Sequence, residues 1–365
     1  MTFFSVEFAI LILGFFAAAV LFWRIPHLPR GANAPQDLRI SVVIPARNEA
    51  ATLPLLLEDL RRQTLRPIEI IVANDDSEDE TERLAQSFGA TVLSLHRKPA
   101  GWVGKSWACQ QGAQAATGDL LVFLDADVRL APDGLSRIAE AFAIHGAVSV
   151  QPYHVTHKGY EQFSLIFNLI QVGANGAALP KPIDLGLYGP VIALSRADYD
   201  AIGGHERVKA SVVEDMALAA VLRRARIPFR LFVGDASVSF RMYPGGFRSL
   251  WQGFTKNLAT GAAKTPAWLF LLIVLFIASC ASAPLHLFLS LARGEPLVLL
   301  YAALYALWAA VLFCIGRRIG RYSPLAALFY PLPLTVFLLV FLHSAAIRLF
   351  RGKVKWKGRA IELER

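Results

Sequence analysis

Four long apolar runs constrain this chain more than any other feature of its sequence. They are Phe3–Trp23, Trp268–Leu291, Leu297–Ile315 and Pro324–Ile347. At about 1.5 Å per residue in a helix, each run is long enough to cross a hydrocarbon core about 30 Å thick. The sequence therefore predicts a membrane protein, with an N-terminal anchor over residues 1–24 and C-terminal membrane helices over residues 268–347.

A cleaved signal peptide is the alternative interpretation of the first apolar run. The run contains one charge, Glu7, has neither a basic segment before it nor a small-residue cleavage site after it, and is followed directly by Arg24. Signal peptides have both of these flanking features. The sequence therefore favours a retained anchor.

Basic residues are concentrated at the C-terminal end of the chain. The net charge is +9, and residues 348–365 contain seven basic and two acidic residues, a net +5. A basic cluster next to an apolar run fits anionic lipid headgroups and a cytosolic orientation better than it fits nucleic acid. We therefore expect a cytosolic tail over residues 348–365 and no nucleic-acid partner.

The three cysteines indicate neither a disulfide framework nor a zinc site. They are odd in number and scattered along the chain, at Cys109, Cys280 and Cys314. Disulfide frameworks and zinc sites need cysteines in pairs or at close, regular spacing. This usage fits a domain that faces the reducing cytosol.

The polar middle of the chain, residues 36–235, has the pattern of an α/β domain. Helical patterns alternate with apolar runs; one of them repeats leucine at positions 53, 56, 57 and 60. Such alternation predicts a doubly wound, mostly parallel sheet that binds ligands beyond the carboxyl ends of its strands. The four predicted strands are Arg39–Pro45, Ile68–Asn74, Ala90–Leu95 and Asp119–Leu124, each suited to burial.

Polar clusters follow all four predicted strands. Each cluster has a local explanation, for example Asn48 or Thr52 as a helix cap and Asp125 as a turn residue. All four, however, would meet at the ligand-binding edge of the sheet, which favours a nucleotide-type site there. The clusters are Pro45–Glu49, Asp75–Ser77, Arg97–Lys105 and Asp125–Asp127.

Two carboxylates, Asp125 and Asp127, directly follow the most apolar of these strands. At this spacing one carboxylate can contact a sugar hydroxyl while the other holds a hard divalent cation against two phosphates. Mg²⁺ and Mn²⁺ prefer oxygen ligands of this kind. The pattern therefore predicts a metal-dependent nucleotide site.

The triplet Gly104-Lys105-Ser106 has the same residues as the end of a phosphate-binding P-loop. That loop requires a glycine at position 99, where this chain has Pro99, which has no N–H to offer a phosphate. The sequence therefore excludes a P-loop. Lys105 could still neutralise a diphosphate as a point charge on a flexible side chain.

Five stretches, VVIPARNEA, NDDSEDET, GWVGKSWA, FLDADV and VVEDMALAAVLRR, resemble the family 2 glycosyltransferases of the GT-A fold, over nearly the whole chain. Within that family the chain looks most like the carotenoid-modifying diaponeurosporenoate glycosyltransferases and the hopanoid-associated glycosyltransferases. The resemblance implies a UDP-sugar donor, with UDP-glucose as the default. It also implies a uridine pocket from Pro45, Arg47, Glu49 and Asp75, and contacts to ribose, sugar and metal from Asp125 and Asp127, with Asp127 holding the metal.

The chain departs from the family pattern at two motifs. Many relatives have Asp-Asp-Gly-Ser where this chain has Asn74-Asp75-Asp76-Ser77, which keeps Asp75 but changes its neighbours. The Gln-x-x-Arg-Trp motif of processive polysaccharide synthases is also absent, and Trp251–Asn257 stands in its place. We therefore expect single transfers rather than polymer synthesis.

Glu214 and Asp215 open a predicted helix that continues over Met216–Arg224. Acidic residues are favoured in the first turn of any helix by the helix dipole, which is the structural alternative. An inverting transfer, however, needs one carboxylate to remove the acceptor proton. The resemblance gives that role to Asp215.

The acceptor is expected to be a lipid. The segments Tyr160–Ile170 and Phe247–Leu258 mix aromatic, aliphatic and charged residues, as helices in a membrane interface do. Each segment could equally cover the sheet as part of its core; for the second, we predict an amphipathic interfacial segment over residues 236–267. The predicted acceptor-side residues are Gly203, Gly204 and His205, in a flexible loop, with Trp251 and Lys256.

Other classes of protein fit the sequence less well. A transporter would carry charges inside its membrane spans, where this chain has almost none. A membrane-anchored nucleotide-binding protein would not need Asp215, and a nucleotidyltransferase would not explain Glu214 and Asp215 so far downstream of the sheet motifs. These two functions are kept as alternatives.

The basic residues also predict an orientation in the cell membrane. Arg24 and the catalytic domain are expected on the cytosolic face of a multi-pass protein. A full crossing by Pro324–Ile347 would place the basic tail outside, and Pro331 and Pro333 interrupt helical hydrogen bonding within this run. We therefore predict that this run either re-enters as a bent hairpin or lies along the interface, which returns Trp356–Arg359 to the cytosolic face; a plain fourth crossing is the alternative.

Overall fold

A computed structural model describes residues 2–211, 213–350, 353–356 and 359–362. The strands are β1 (Ile40–Ala46), β2 (Glu69–Asn74), β3 (Thr91–Ser94), β4 (Leu120–Leu124), β5 (Val128–Leu130), β6 (Ala147–Gln151), β7 (Tyr153–His154), β8 (Val191–Ser195), β9 (Phe229–Val233), β10 (Val238–Phe240), β11 (Lys353–Trp356) and β12 (Arg359–Glu362). The helices are α1 (Thr2–Leu21), α2 (Leu53–Arg61), α3 (Thr81–Ser87), α4 (Gly104–Ala115), α5 (Gly134–His145), α6 (Ser164–Ala174), α7 (Arg196–Ala201), α8 (Glu214–Arg224), α9 (Phe247–Lys264), α10 (Ala267–Arg293), α11 (Val298–Ile319), α12 (Pro324–Leu328) and α13 (Pro331–Leu349).

The chain divides into two compact units. The sheet unit consists of Pro26–His154 and Asp184–Arg241, and the helical unit consists of Met1–Ile25, Val155–Ile183 and Met242–Arg365. The sheet unit contains most of the predicted catalytic domain over residues 36–235. Residues 155–183 are the exception, because α6 packs its apolar side chains among the helices of the helical unit.

The sheet unit is built on a seven-stranded sheet in the order β3-β2-β1-β4-β8-β6-β9. All four predicted strands are present, and they pair in parallel, with Val43 of β1 opposite both Ile71 of β2 and Phe123 of β4. β8 runs antiparallel to both of its neighbours, β4 and β6. The sheet is nevertheless mostly parallel, as predicted. β3 departs from the predicted burial, because it lies at the sheet edge and Thr91 and Ser94 are exposed.

Helix α2 shows how the spacing of leucines determines which face of a helix packs on the sheet. Its four leucines, at positions 53, 56, 57 and 60, are each at most 1% exposed and belong to the apolar core around β1 and β4. Burial of a leucine side chain stabilises a fold by about 1.5–3 kcal/mol relative to exposure. The spacing of these leucines therefore fixes which face of α2 covers the sheet.

The helical unit contains the apolar runs. Three of its helices are each long and apolar enough to cross a membrane: Ala267–Arg293, Val298–Ile319 and Pro331–Leu349. The apolar stretch Val6–Leu21 of α1 is shorter. In α6, Phe167 stacks on Phe254 at 4.0 Å between ring centroids. Because α6 is buried in the helical unit, Tyr160–Ile170 contributes to the core of that unit.

The last apolar run is interrupted, as its prolines predicted. α12 ends at Leu328 and α13 begins at Pro331, so Pro331 and Pro333 occupy the first turn of α13, where a missing N–H breaks no helical bond. β11 and β12 then pair as an antiparallel ribbon. Re-entry of this run stays a prediction, and the predicted return of Trp356–Arg359 falls partly on Lys357 and Gly358, outside the described residues.

Candidate active site

The carboxyl ends of three parallel strands bring the predicted polar clusters to one edge of the sheet. β1 ends at Ala46, β2 at Asn74 and β4 at Leu124, and the register pairs Ala46 with Asn74. Parallel strands end at the same edge, where ligands bind in folds of this kind. The segments that begin at Arg47, Asp75 and Asp125 therefore share this edge.

The first cluster joins the segments after β1 and β2. Asp75 is 5% exposed, its N–H donates to Ala46 O at 2.9 Å, and Arg47 Nη1 donates to Asp75 O at 2.8 Å. Arg47 also lies 3.9 Å from the Asp76 carboxylate and 3.7 Å from Glu78. The guanidinium therefore holds the segment that carries Asp75 in place.

Side chains of the same two segments bond reciprocally. Asn48 N donates to Ser77 Oγ at 3.0 Å, Glu78 N donates to Asn48 Oδ1 at 2.8 Å, and Glu49 N donates to Thr81 Oγ1 at 2.8 Å. Asn48 has a φ of 53°, a left-handed conformation that asparagine tolerates better than most residues. The cap of α2 is Thr52, without a side-chain capping bond, so Asn48 joins two loops rather than capping a helix.

The second cluster surrounds Lys105 in the first turn of α4. Its ammonium lies 2.7 Å from Asp125 Oδ1, 3.3 Å from Glu214 Oε1 and 3.2 Å from the carbonyl of Gly189. A lysine ammonium has three N–H donors, so these three acceptors match its donors in number. Burial acts to lower the pKa of Lys105, but attraction to Asp125 and Glu214 outweighs it and raises that pKa above its ordinary value.

Glu214 and Asp215 begin α8, as predicted, and both reach this cluster. The Glu214 side chain is 11% exposed and pairs with Lys105, and Asp215 Oδ1 accepts from Met216 N at 2.7 Å. A Cβ built on Gly189 would lie 3.1 Å from Asp215 Oδ2 and 3.2 Å from Lys105 Nζ. The helix dipole favours these carboxylates, but it does not explain why both converge on Lys105 and Gly189.

The turn that carries Asp125 and Asp127 connects β4 to β5. Asp125 N donates to Pro190 O at 2.9 Å, and Val128 N donates to Asp125 O at 3.1 Å. Beyond the turn, the guanidinium of Arg129 forms a two-bond pair with Asp59 at 2.5 and 2.9 Å. The turn is thus held on both sides, with its carboxylates at the ligand edge.

Among the described residues, no group of three or more His, Cys, Asp or Glu side chains is arranged to hold a metal ion. A nucleotide-bound Mg²⁺ needs only one or two protein carboxylates, because phosphate oxygens and water complete its coordination. The oxygen-donor pair Asp125 and Asp127 fits such an ion and does not fit a metal held by protein ligands alone.

The predicted acceptor-side loop is partly buried. Gly203 and Gly204 have φ values of 74° and 58°, and Gly204–Val208 form a 3₁₀ turn. The flexibility of this loop and its role toward the acceptor stay predictions. His205 is 2% exposed, and its Nδ1 lies 2.9 Å from the Tyr199 hydroxyl. Burial lowers the pKa of His205 to about 4, with Glu214 opposing the shift and Lys105 adding to it, so the imidazole is neutral near pH 7.

Trp251 and Lys256 lie on α9, in the helical unit. Trp251 Nε1 donates to His343 Nδ1 of α13 at 3.1 Å, and the Trp251 ring lies 6.0 Å from that of Phe247 between centroids. Trp251 thus takes part in helix packing. A role of either residue toward the acceptor stays a prediction.

Gly189 and Pro190 were not predicted from the sequence, yet they lie against three of the predicted site residues. Gly189 O accepts from Lys105, Pro190 O accepts from Asp125 N, and a Cβ on Gly189 would lie 3.1 Å from Asp215 Oδ2. The available signal was local: a Gly-Pro pair directly before the apolar run Val191–Leu194. Such a pair marks a turn, but not what the turn contacts.

Comparison with known proteins agrees with this geometry. Residues 41–202 match the family described as Glycosyl transferase family 2. The chain is 37% identical over 334 residues to the 4,4'-diaponeurosporenoate glycosyltransferase of Staphylococcus haemolyticus and 36% identical over 336 residues to that of Staphylococcus aureus, with 89% of each chain covered in both cases.

A solved structure has the same fold. It is a mannosyltransferase from Pyrobaculum calidifontis in complex with GDP-Man and Mn²⁺, similar at a TM-score of 0.55 and 18% identity, with 93% of this chain and 98% of that chain covered. The mostly parallel sheet with ligand-edge carboxylates, the matched family and the similarity along most of the chain lead to one assignment. The chain belongs to glycosyl transferase family 2 and is a glycosyltransferase of the GT-A fold.

Proposed function

We propose that this enzyme transfers a hexose from a UDP-sugar to a lipid acceptor in the membrane, with inversion at the anomeric carbon. The observation that carries the proposal is the convergence of Lys105, Asp125, Glu214 and Asp215 beside Gly189 at the ligand edge of the sheet. This arrangement brings a phosphate-neutralising cation and a candidate base into one site. The relatives named for diaponeurosporenoate support a carotenoid-type acceptor.

The uridine end of the donor is assigned to the first cluster. Asp75 is buried and held by Arg47, Pro45 is the second-last residue of β1, and Glu49 lies in the segment after β1. A buried carboxylate at a fixed position can accept hydrogen bonds from a base, and burial strengthens such bonds. UDP-glucose is the proposed donor because the family resemblance favours it.

The diphosphate and sugar are assigned to the second cluster. Asp127 would hold Mn²⁺ or Mg²⁺, which when bound supplies positive charge against the diphosphate, and Asp125 would contact the ribose or sugar. Lys105 adds a fixed positive charge beside Asp125. For its ammonium to donate to a phosphate oxygen, one of its three bonds to Asp125, Glu214 or Gly189 O must be exchanged. Lys105 would thereby stabilise the leaving UDP.

Asp215 is the proposed general base. In a single displacement, the acceptor oxygen attacks the anomeric carbon, the bond from that carbon to the diphosphate breaks, and UDP leaves. A hydroxyl acceptor loses its proton to the Asp215 carboxylate during this attack. Glu214 is already paired with Lys105, so its proposed role is to hold the lysine while Asp215 accepts the proton.

The chemistry of the acceptor decides how much this base contributes. A hydroxyl group stays protonated at neutral pH and needs a base, whereas a carboxyl group is ionised there and needs none. The relatives are named for diaponeurosporenoate, which is a carboxylate, so their name indicates a carboxylate acceptor for those proteins. Comparison of the two acceptor classes therefore tests the role of Asp215 directly.

The proposed location is the cell membrane, with the catalytic site on the cytosolic face. Arg24 follows α1, and Arg317 and Arg318 lie in the last turn of α11. Basic residues at helix ends favour the cytosolic side. The bent or re-entrant segment over residues 324–347 would return the basic tail to the same side.

The test is direct assay of the full-length protein in lipid nanodiscs. UDP-glucose, UDP-galactose and GDP-mannose are each supplied with Mn²⁺ and 4,4'-diaponeurosporenoate, and the lipid product is analysed by mass and by NMR of the anomeric proton. We expect a hexose increment from UDP-glucose with inverted configuration. A retained configuration contradicts the single displacement, and release of glucose 1-phosphate with transfer of UMP and no hexose to the acceptor favours a nucleotidyltransferase.

Metal dependence is tested in the same assay. Excess chelator and the Asp127→Ala substitution are each expected to reduce turnover by about 10²-fold or more, because diphosphate charge is then left unneutralised. Asp37→Ala is the matched control, since Asp37 is exposed and lies before the first strand. Equal turnover in excess chelator contradicts the proposed metal role, and binding of UDP without any transfer favours a nucleotide-binding protein.

A further inference from the structure

We propose that Gly189 and Pro190 position the reacting groups, and that residue 189 must be glycine because any side chain there displaces Asp215 and Lys105. The inference rests on the proposed function for the catalytic meaning of Asp215. Both residues lie in the sheet unit, directly before β8, and Gly189 is buried.

The two carbonyl groups of this dipeptide accept from two site residues. Gly189 O accepts from Lys105 Nζ at 3.2 Å, and Pro190 O accepts from Asp125 N at 2.9 Å. Lys105 and Asp125 also pair directly at 2.7 Å. The dipeptide, the lysine and the carboxylate therefore form a closed set of contacts in which movement of one displaces the others.

The missing side chain of Gly189 leaves the space that Asp215 uses. A Cβ at this position would lie 3.1 Å from Asp215 Oδ2 and 3.2 Å from Lys105 Nζ. Contacts this short are tighter than nine in ten real Cβ contacts, so both side-chain ends would have to move by a few tenths of an ångström. Such a shift is small for packing, but large for a base aligned with its proton.

The segment that carries the dipeptide is fixed by bonds on both sides. Ser149 Oγ donates to Tyr188 O at 2.8 Å, and Tyr188 N donates to Ser149 Oγ at 2.7 Å. Arg223 donates to the carbonyls of Asp184 and Leu185. This segment therefore cannot easily yield to an added methyl group.

Helix α8 connects this anchoring to the site. Its first turn contains Asp215, and its last turn contains Arg223, which bonds the segment leading to Gly189. Arg230 Nη1 adds a 2.7 Å bond to the Asp184 carboxylate. The helix that presents the base is thus tied to the segment against which the base lies, and an added side chain at 189 shifts the base rather than the segment.

The test is Gly189→Ala in the full-length protein, with Gly159→Ala as the matched control. The Gly189 backbone is not left-handed, so alanine introduces no backbone strain, and a Cβ at Gly159 would meet no atom within 4 Å. With UDP-glucose and a hydroxyl-bearing carotenoid, we expect kcat to fall about tenfold, with the KM for UDP-glucose changed less than about threefold. Gly159→Ala is expected to retain wild-type kcat.

A double-mutant cycle separates positioning from general damage to the fold. In the Asp215→Ala background the methyl group can displace only Lys105, so Gly189→Ala is expected to reduce the residual kcat by clearly less than tenfold. An equal tenfold loss in both backgrounds overturns the proposal, as does wild-type kcat in the single variant. If Gly189→Ala alone failed to fold, the double variant, which lacks the closest neighbour, would supply the folded protein for the measurement below.

A measurement without turnover tests the same geometry. The acetylation rate of Lys105 by acetic anhydride is followed by mass spectrometry, with the exposed Lys181 as the internal reference. Displacement of the ammonium from its partners is expected to raise the Lys105 rate severalfold in Gly189→Ala and not in Gly159→Ala. If the Lys105 acetylation rate rises in Gly189→Ala but the wild-type protein transfers no hexose, the positioning is supported and the proposed function is contradicted. An unchanged Lys105 rate in Gly189→Ala overturns the positioning of Lys105.

Discussion

Two glycines allow close contacts in the two compact units, and their surroundings differ. A Cβ on Gly189 in the sheet unit would meet the ends of two charged side chains at 3.1 and 3.2 Å. A Cβ on Gly14 in the helical unit would meet Ser279 Cβ at 2.0 Å and the carbonyl of Leu275 at 2.9 Å. Side-chain ends can move a little, but a helix backbone cannot, so the first glycine protects a charge arrangement and the second protects a helix crossing.

The different compositions of the two units fit this contrast, because the helical unit contains three helices long and apolar enough to cross a membrane. Helices in lipid gain little from burial of apolar surface and associate through small residues, close packing and interhelical hydrogen bonds. Around Gly14, Ser279 Oγ donates to Leu11 O at 3.2 Å and accepts from Trp308 Nε1 at 3.2 Å. In the sheet unit an apolar core stabilises the fold, and charged residues are concentrated at the edge where the strands end.

The largest expected effect lies in the sheet unit and involves chemistry without loss of fold. Asp215→Asn is expected to lower kcat by about 10²-fold or more with a hydroxyl acceptor, because proton removal is lost, while UDP affinity measured by calorimetry stays near wild type. With a carboxylate acceptor the loss is expected to be less than about tenfold. An equal fall in UDP affinity would make Asp215 a donor-binding or structural residue.

The next-largest effect lies in the helical unit and concerns the stability of the fold rather than the chemistry. Gly14→Ala is expected to destabilise the protein by about 1–3 kcal/mol, because α1 must move away from α10 to admit the methyl group. The measurement is the thermal midpoint in detergent, with Gly159→Ala as control, together with kcat per folded molecule. A lowered kcat at an unchanged thermal midpoint would contradict the structural role of Gly14, and with it the difference between the two glycines.

The smallest effect concerns the pH dependence of stability in the sheet unit. His205 has a pKa of about 4 in the folded protein against an ordinary value of 6.5. Between these two pH values the imidazole is protonated in the unfolded chain and neutral in the folded chain. This contribution lowers stability as pH falls through 6.5, by roughly 1 kcal/mol between pH 7 and 5.5. Denaturation of wild type and His205→Gln at both pH values measures it, and an identical pH dependence in the two proteins would contradict the buried neutral imidazole.

Local patterns were sufficient to predict β1, β2, β3 and β4, several helices and the sheet edge at which these strands end. The leucines of α2, the apolar runs before Asp75 and Asp125, and the acidic start of α8 each lie within one short segment. Their periodicity depends on the backbone geometry of a helix or a strand, which is the same in every fold. Other predictions had other grounds: Pro99 excluded a P-loop, and Lys105 was assigned to the site from its charge and from the family resemblance.

Contacts between distant segments could be decided only by the tertiary structure. The sequence by itself determined four apolar runs, an α/β domain and carboxylates at its strand ends. Tertiary structure brought Lys105, Asp125 and Glu214 to Gly189, buried His205 beside Tyr199, and grouped residues 155–183 with the helical unit. The physical reason is that hydrogen bonds, ion pairs and side-chain packing depend on which surfaces meet, and residues 84 positions apart, such as Lys105 and Gly189, leave no periodic signal of their contact.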